Sequence, residues 1–271
     1  MKPRLLDLFG GQGGATRGYQ RAGFEVYAVD LDGPALGRNP AEGAHVGDAL
    51  AALRTLIAGR TLQFGVGNGS ARWLGLVDFD AIHASPPCQG YSIATAGNPA
   101  ARAKHDRLIA ATRDLLDQTG KPWVIENVEQ ARSELTSPVM LCGRMFGLDA
   151  VDDDGQRLVL DRHRLFESNV PLSAPEHPVH DGSQVAGVYG GSRRAKVDTA
   201  TLSPAYVAVL DKYAARVERG GGYVPRNKAV QQALLGIDWM TVKGMQESIP
   251  PVYAEWIGRQ LAVVAAARRA A

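Results

Sequence analysis

The stretch Ala84-Ser85-Pro86-Pro87-Cys88-Gln89-Gly90-Tyr91-Ser92 follows an apolar run, Phe79-Asp80-Ala81-Ile82-His83, that is typical of a buried strand. Two consecutive prolines cannot continue a strand and restrict the backbone, so Cys88 is expected on a stiff turn where the strand ends. A deprotonated thiol is the strongest nucleophile among ordinary side chains. Because open α/β sheets bind ligands at their strand exits, this stretch predicts an α/β fold that presents a nucleophile. The alternative is that Cys88 is simply a buried, small apolar residue.

Length and composition limit what can surround this turn. The 271 residues suffice for one α/β core with a smaller lobe, and 45% hydrophobic with 21% charged residues are globular values. No apolar run approaches the ~20 residues that span a bilayer, and a strand begins almost directly after Met1, so we expect a cytoplasmic protein without a signal peptide. The chain has two cysteines, Cys88 and Cys142, which are too few for a disulfide framework. No spacing of cysteines and histidines in the sequence is that of a zinc site, so we expect no metal. Cys142 is interpreted as a core residue.

The N-terminal segment predicts a ligand-binding unit. The apolar strand Arg4–Phe9 runs into Gly10-Gly11-Gln12-Gly13-Gly14, and a helical pattern follows from residue 15 to 22. Glycines let a backbone approach a ligand closely, and a helix N-terminus points its amides towards it. The next predicted strand ends at Asp30, where a carboxylate commonly accepts hydrogen bonds from a ribose. Thr16 replaces the last glycine of the dinucleotide motif, so a nicotinamide or flavin cofactor fits less well, and a ligand-free turn is the alternative.

Two further predicted strand exits carry polar residues. Val46-Gly47-Asp48 ends in a second carboxylate, and Asp30 with Asp48 suits a nucleoside that carries a ribose and an exocyclic amine. After an amphipathic helix over residues 106–118, the strand Trp123–Ile125 delivers Glu126-Asn127-Val128 to the same edge of the sheet. A charge at the end of an apolar strand is unfavourable when buried alone, so Glu126 is either functional or hydrogen-bonded.

Five motifs, in this order, resemble those of the DNA (cytosine-5) methyltransferases. They are Asp7-Leu8-Phe9-Gly10-Gly11-Gln12-Gly13-Gly14, Pro86-Pro87-Cys88-Gln89, Glu126-Asn127-Val128, Leu160-Asp161-Arg162-His163-Arg164-Leu165-Phe166 and Glu247-Ser248-Ile249-Pro250-Pro251. The resemblance covers most of the chain outside residues 168–228 and is that of a short, phage-like member. Two positions depart from the family pattern: Leu160 stands where Gln is usual, and Glu247 stands where Asn is usual.

The resemblance implies an architecture. The fold would be the S-adenosylmethionine-dependent methyltransferase fold, an α/β, doubly wound and mostly parallel sheet with a small target-recognition lobe. Residues 1–167 would form the catalytic and cofactor-binding domain, and residues 168–228 would form the lobe. Helices in residues 229–271 would pack back on the catalytic domain.

The resemblance also implies a reaction, the transfer of a methyl group from S-adenosylmethionine to carbon 5 of a cytosine flipped out of DNA. Carbon 5 is too weak a nucleophile, so Cys88 would first add to carbon 6. Glu126 would protonate or hydrogen-bond ring nitrogen 3, and Arg164 would hold the cytosine carbonyl oxygen. Arg162 would orient the cysteine loop or the carboxylate. Asn127 would fix the loop through backbone hydrogen bonds.

Cofactor and DNA contacts follow from the same resemblance. The cofactor site would comprise Phe9, Gly11, Gly13, Asp30, Asp48, Pro87, Leu108 and, from the far end, Ser248; for Phe9 and Leu108 core packing is the alternative. A mobile loop over residues 90–105 would close on double-stranded DNA. Net charge is only +2, but residues 189–228 carry an excess of five positive charges, which supports nucleic-acid binding. The expected DNA-binding residues are Gln89, Ser92, Arg102, Lys104, Arg193, Arg194, Lys196 and Arg226.

The chain is expected to act as a monomer, and three alternative functions stay open. The first is a non-catalytic DNA-binding protein of the same fold, although such a protein has no need to keep Cys88, Glu126 and Arg164 together. The second is methylation of a cytosine in RNA. The third is transfer of a group other than methyl, for which Glu247 is a hint.

Overall fold

The computed structural model describes residues 2–66, 69–91, 107–188, 224–225 and 227–270 of the protein. The chain divides into two compact units. The first unit comprises Met1–Leu141, His163–Pro175 and Ser248–Ala271, and the second comprises Cys142–Arg162 and Glu176–Glu247. In the part of the chain that the structure describes, no helix is both long and apolar enough to cross a membrane.

The strands, numbered along the chain, are β1 (Arg4–Leu8), β2 (Glu25–Asp30), β3 (Gly43–Val46), β4 (Leu62–Gly65), β5 (Ala71–Leu74), β6 (Ala81–Ala84), β7 (Trp123–Val128), β8 (Val139–Leu141), β9 (Asp149–Val151), β10 (Arg157–Val159) and β11 (Arg164–Ser168). The helices are α1 (Gly14–Arg21), α2 (Gly33–Leu36), α3 (Ala49–Ile57), α4 (Ile109–Asp117), α5 (Lys228–Leu235), α6 (Val242–Glu247) and α7 (Pro251–Ala270). The predicted helix of residues 106–118 therefore begins at Ile109.

The first unit is built on one nine-stranded sheet, in the order β5-β4-β3-β2-β1-β6-β7-β11-β8. Strands β3, β2, β1, β6 and β7 run parallel, and antiparallel strands extend the sheet at both sides. The parallel strands are apolar on both faces because helices cover both, which explains why β1 and β6 are almost entirely buried. This confirms the predicted doubly wound, mostly parallel α/β sheet. The strand order reverses between β1 and β6, and such a switch point opens a crevice at the carboxyl ends of the strands.

The C-terminal helix α7 packs directly against α1 of the first unit. The two helices approach so closely that a Cβ atom at Gly18 would lie 2.2 Å from the carbonyl oxygen of Pro251. On the other side, a Cβ atom at Gly258 would lie 2.7 Å from Ala22 Cβ. Only glycine permits this approach, so these two positions fix α7 on the first unit.

The division into units differs from the predicted one. Residues 142–162 and the helices α5 and α6 belong to the second unit, whereas the sequence placed all of them with the catalytic domain. The physical reason is a separate apolar core, in which Leu158 and Leu160 from the β9–β10 hairpin pack with Leu234 and Leu235 of α5. The predicted strand of residues 184–189 is reduced, among its described residues, to a single bridge from Val185 to Val159.

Candidate active site

The glycine turn after β1 is held open by the residues around it. Phe9, Gly11 and Gly13 have φ angles of 60°, 49° and 88°, which is left-handed backbone and is strained for the non-glycine Phe9. The Asn39 side-chain amide donates to the carbonyl oxygens of Gly10 and Gly11, at 3.1 Å each. A Cβ atom at Gly11 would have nothing within 4 Å. The backbone at Gly11 is therefore open to a ligand.

Two carboxylates stand beside this turn at neighbouring strand exits. Asp30 accepts hydrogen bonds from the backbone amides of Gly11 (2.9 Å) and Asp32 (2.8 Å). Asp48 begins α3 and accepts from the Ala51 amide at 2.7 Å. The two exits adjoin, because the Gly47 amide donates to the Asp30 carbonyl oxygen at 2.9 Å. The structure brings both carboxylates to the edge where the sequence predicts them, and their contacts to a cofactor stay predictions.

Ser248 reaches the glycine turn from the far end of the chain. A Cβ atom at Gly14 would lie 3.2 Å from Ser248 Cβ and 2.4 Å from the Ile249 carbonyl oxygen. Phe9 and Leu108 are each half-buried and pack against the main core of the first unit. Core packing does not exclude cofactor contact for these two residues, because the buried side of each side chain can pack in the core while the exposed side contacts a ligand.

Cys88 lies on a turn directly after β6. Pro86 is buried, Pro87 is exposed and Cys88 is half-buried. The Tyr91 amide closes the turn by donating to the Cys88 carbonyl oxygen at 2.9 Å. This placement disfavours the alternative that Cys88 is a fully buried apolar residue.

Asn127 connects the Cys88 turn to the neighbouring strand. Its side-chain Nδ2 donates to the Pro86 carbonyl oxygen at 2.9 Å, and its Oδ1 lies 3.0 Å from the Val128 amide. Asn127 is only 1% exposed, so water does not compete for these hydrogen bonds. The backbone hydrogen bond that the sequence predicts for Asn127 is therefore present.

Glu126 precedes Asn127 on β7 and lies beside Arg164 of β11. These strands are antiparallel with Arg164 opposite Val128, which places Arg164 and Glu126 on the same face as diagonal neighbours. Arg164 Nε is 3.1 Å from Glu126 Oε1, and the two side chains are 9% and 7% exposed. A buried carboxyl that is paired in this way is held in one orientation, and removing either partner of such a pair is strongly destabilising.

Arg162 belongs to the second unit. It is 1% exposed and donates from Nη1 to the Val188 carbonyl oxygen at 2.7 Å and from Nη2 to the Gln246 carbonyl oxygen at 2.8 Å. These bonds join distant segments of that unit. Its expected action on the cysteine loop or the carboxylate stays a prediction.

A buried polar layer behind the site was not expected from the sequence. Thr16 Oγ1 donates to Asp7 Oδ2 at 2.5 Å. Tyr19 Oη lies 2.9 Å from His83 Nδ1, and His83 Nε2 lies 2.8 Å from Ser85 Oγ, one residue before Pro86. The sequence feature that could have indicated this layer is a polar residue inside an apolar strand, which is Asp7 in β1 and His83 in β6. Thr16, which departs from the dinucleotide motif, is the partner of Asp7.

Burial decides the charges in this layer. It lowers the pKa of His83 to about 3, so the imidazole is neutral at physiological pH. It raises the pKa of Asp7 to about 7, and the neighbouring charge of Asp30 acts in the same direction while the Thr16 hydrogen bond opposes it. Asp7 therefore takes up a proton close to neutral pH, and its Oδ1 atom is buried without a hydrogen-bond partner among the described residues.

Of the expected DNA-binding residues, the structure describes one. Gln89 is half-buried and follows Cys88 on the turn. The others, Ser92, Arg102, Lys104, Arg193, Arg194, Lys196 and Arg226, lie outside the described residues, as does nearly all of the loop of residues 90–105.

Several solved structures with a similar fold are described as methyltransferases. The Dnmt2 methyltransferase of S. pombe has a TM-score of 0.50 and 12% identity, with 99% of each chain covered. An Entamoeba histolytica methyltransferase, EhMeth, has a TM-score of 0.48 and 13% identity over 96% of this chain and 98% of its own. A protein described as a DNA modification methyltransferase encoded within an E. coli prophage has a TM-score of 0.46 and 16% identity, with 96% of this chain and 98% of its own covered. No family model and no curated protein matches the sequence. The order of the nine-stranded sheet and the similarity to the S. pombe structure show that the chain has the α/β methyltransferase fold.

Proposed function

We propose that the protein is a DNA (cytosine-5) methyltransferase. The observation that carries this proposal is the hydrogen bond from Asn127 to the Pro86 carbonyl oxygen. It fixes the turn of the nucleophile Cys88 against the strand that carries the acid Glu126, and Arg164 holds that acid from the next strand. A nucleophile and an acid on adjacent strand exits of a methyltransferase fold are what cytosine-5 methylation requires.

S-adenosylmethionine is the methyl donor in this proposal, and the residues after β1, β2 and β3 fit it. Its sulfonium sulfur supplies a methyl group to a carbon nucleophile. The open backbone at Gly11 allows close approach, and the half-buried ring of Phe9 offers an apolar wall for adenine. Asp30 would accept hydrogen bonds from the ribose hydroxyls, and Asp48 would accept one from the adenine amine. Gly13, Pro87, Leu108 and Ser248 complete the proposed site.

The residues of the chain then act in sequence on the flipped cytosine. The Cys88 thiolate forms a bond to carbon 6, while Glu126 donates a proton or a strong hydrogen bond to nitrogen 3, so that the electron pair reaches carbon 5 as an enamine. Arg164 keeps Glu126 oriented and holds the base carbonyl oxygen. Carbon 5 would take the methyl group, and the donor sulfur would become a neutral thioether. The proton on carbon 5 would then leave to solvent, Cys88 would depart as the thiolate while the double bond re-forms, and nitrogen 3 would return its proton to Glu126.

A covalent trap tests the proposal. DNA that carries 5-fluorocytosine should form a denaturation-resistant complex in the presence of S-adenosylmethionine, because fluorine cannot leave carbon 5 as a proton does. Cys88→Ser should form none, and the controls are unmodified DNA and omission of the cofactor. Asn127→Ala should trap more slowly by about tenfold, because it removes the buried hydrogen bond to the Pro86 carbonyl oxygen that holds the turn.

Three outcomes would contradict the proposal or change its substrate. Trapping by Cys88→Ser equal to that of the wild type would remove Cys88 as the nucleophile. Incubation of duplex DNA and RNA separately, followed by mass analysis of the nucleosides, identifies the substrate and the transferred group. Methylcytosine in RNA alone would replace DNA as the substrate, and binding of DNA without any product would favour a non-catalytic protein.

A further inference from the structure

A cysteine and two histidines that are distant in the sequence meet in the second unit. Cys142 Sγ lies 3.8 Å from His180 Nε2, and the rings of His177 and His180 are stacked with their centroids 5.1 Å apart. One ligand atom from each of the three lies within 4.8 Å of the others. Cys142 is fully buried and His180 is exposed, so an ion can reach the cluster from solvent.

The β9–β10 hairpin holds the cysteine in place. The Gly143 amide donates to the Asp161 carbonyl oxygen at 3.1 Å, and a Cβ atom at Gly143 would lie 2.0 Å from the Leu160 carbonyl oxygen. Only glycine permits this approach of the two segments. The hairpin thereby brings residue 161 beside the residue that follows Cys142.

The Asp161 carboxylate orients the imidazole of His180. Asp161 Oδ2 lies 3.4 Å from His180 Nδ1, and Asp161 Oδ1 accepts from Arg144 Nε at 2.5 Å. Arg144 also donates from Nη1 to Asp181 at 2.6 Å. A carboxylate at Nδ1 fixes the ring so that Nε2 points towards Cys142, and metal-bound histidines in proteins are held in this way.

We propose that Cys142, His177 and His180 bind a zinc ion. Thiolate sulfur and imidazole nitrogen are ligands that Zn²⁺ prefers, whereas Ca²⁺ and Mg²⁺ bind oxygen. With Zn–S of about 2.3 Å and Zn–N of about 2.0–2.1 Å, tetrahedral geometry separates the sulfur and nitrogen atoms by about 3.6 Å. The 3.8 Å between Cys142 Sγ and His180 Nε2 is close to this separation.

The ion would stabilise the second unit by connecting its two chain segments. Residues 142–162 and residues 176–180 are separate in the sequence, and a metal between them adds to a core that is small. The site departs from the sequence-based expectation of no metal. Zinc sites are recognised in a sequence by ligands a few residues apart, and in this cluster only His177 and His180 are that close. Cys142 is distant from both in the sequence.

Metal analysis of untagged protein tests the proposal. Purified wild type should hold one zinc per chain after dialysis, and cobalt should replace it with a sulfur-to-cobalt charge-transfer absorption. Cys142→Ser should lose that absorption and His180→Ala should lose zinc, while Asp161→Asn should weaken zinc binding by about 10–100-fold. Matched controls are Cys88→Ser, the other cysteine, and His45→Ala, which lies in the first unit; both should keep the metal.

The decisive readouts do not depend on methyl transfer. If the wild type binds zinc no more tightly than Cys142→Ser, or if the cobalt absorption persists in that variant, the site is overturned. If Cys142→Ser does not fold, His177→Ala and His180→Ala carry the test, since zinc retained by both would equally overturn it.

Discussion

The two cysteines differ in burial and in the side chains that lie beside them. Cys88 is half-buried on a proline turn whose position is set by Asn127, a residue of a neighbouring strand. Cys142 is fully buried, and a histidine nitrogen lies 3.8 Å from its sulfur. The surroundings of a thiol decide whether it attacks a carbon or binds a metal. Under the two proposals, the same side chain would act as a nucleophile where a turn exposes it and as a metal ligand where imidazoles lie beside it.

The largest expected effect tests whether Cys88 acts together with a dedicated acid. Glu126→Gln keeps the shape of the side chain but cannot donate a proton in the same way, so kcat should fall by about 10²-fold or more, within the range for lost acid catalysis. Binding of S-adenosylmethionine, measured by calorimetry, should be unchanged. An unchanged kcat would make Glu126 structural.

Glu167 offers the matched control for this variant. It is 3% exposed and pairs with Arg113 at 2.5 Å and 2.7 Å, so it is a second buried glutamate held by an arginine in the same unit. Glu167→Gln should lower the free energy of unfolding but leave kcat per folded molecule unchanged. An equal loss of kcat in both variants would mean that any broken ion pair in this unit disturbs the site.

An intermediate effect concerns the accessibility of the two thiols. Iodoacetamide should alkylate Cys88 on the order of 100-fold faster than Cys142, because only the first thiol reaches solvent. Peptide mass analysis against time measures both rates in one sample. Removal of zinc with a chelator should speed the reaction of Cys142 alone. If both cysteines react at one rate, with and without chelator, the contrast between the two regions fails.

The smallest expected effect concerns Asp7, in the polar layer behind the Cys88 turn. Its pKa is raised from 3.8 to about 7, so the folded protein keeps a proton that the unfolded chain releases between these values. The stabilisation is fully present below pH 4 and is lost as the pH rises to 7, by at most about 1.4 kcal/mol per pH unit. Asp7→Asn still accepts from Thr16 and should remove this decline. Urea unfolding at pH 5, 6 and 7 measures it, with Asp114→Asn on the exposed face of α4 as control; parallel curves for wild type and Asp7→Asn would contradict the prediction.

The parallel part of the fold could be predicted from the sequence, and so could the position of the proposed site residues at one edge of the sheet. Apolar runs that end in a polar residue mark Asp30, Cys88 and Glu126, and parallel strands necessarily bring such residues to one edge. Local chemistry was enough there, since prolines define the turn of Cys88 and glycines define the turn after β1. The proline at the start of α7 likewise marked the beginning of that helix.

Tertiary structure alone decided the contacts between segments that are distant in the sequence. The pairing of Glu126 with Arg164 depends on the register of two antiparallel strands. Helix α5 belongs to the second unit because its apolar face packs into the core of that unit. Its amphipathic sequence pattern would be the same if it packed on the first unit, so the pattern does not assign it. The cluster brings Cys142 together with His177 and His180, which lie more than 30 residues further along the chain, and no sequence pattern links them. A sequence determines which side chains prefer to be buried and where the backbone turns, but only the packed chain determines which buried groups become neighbours.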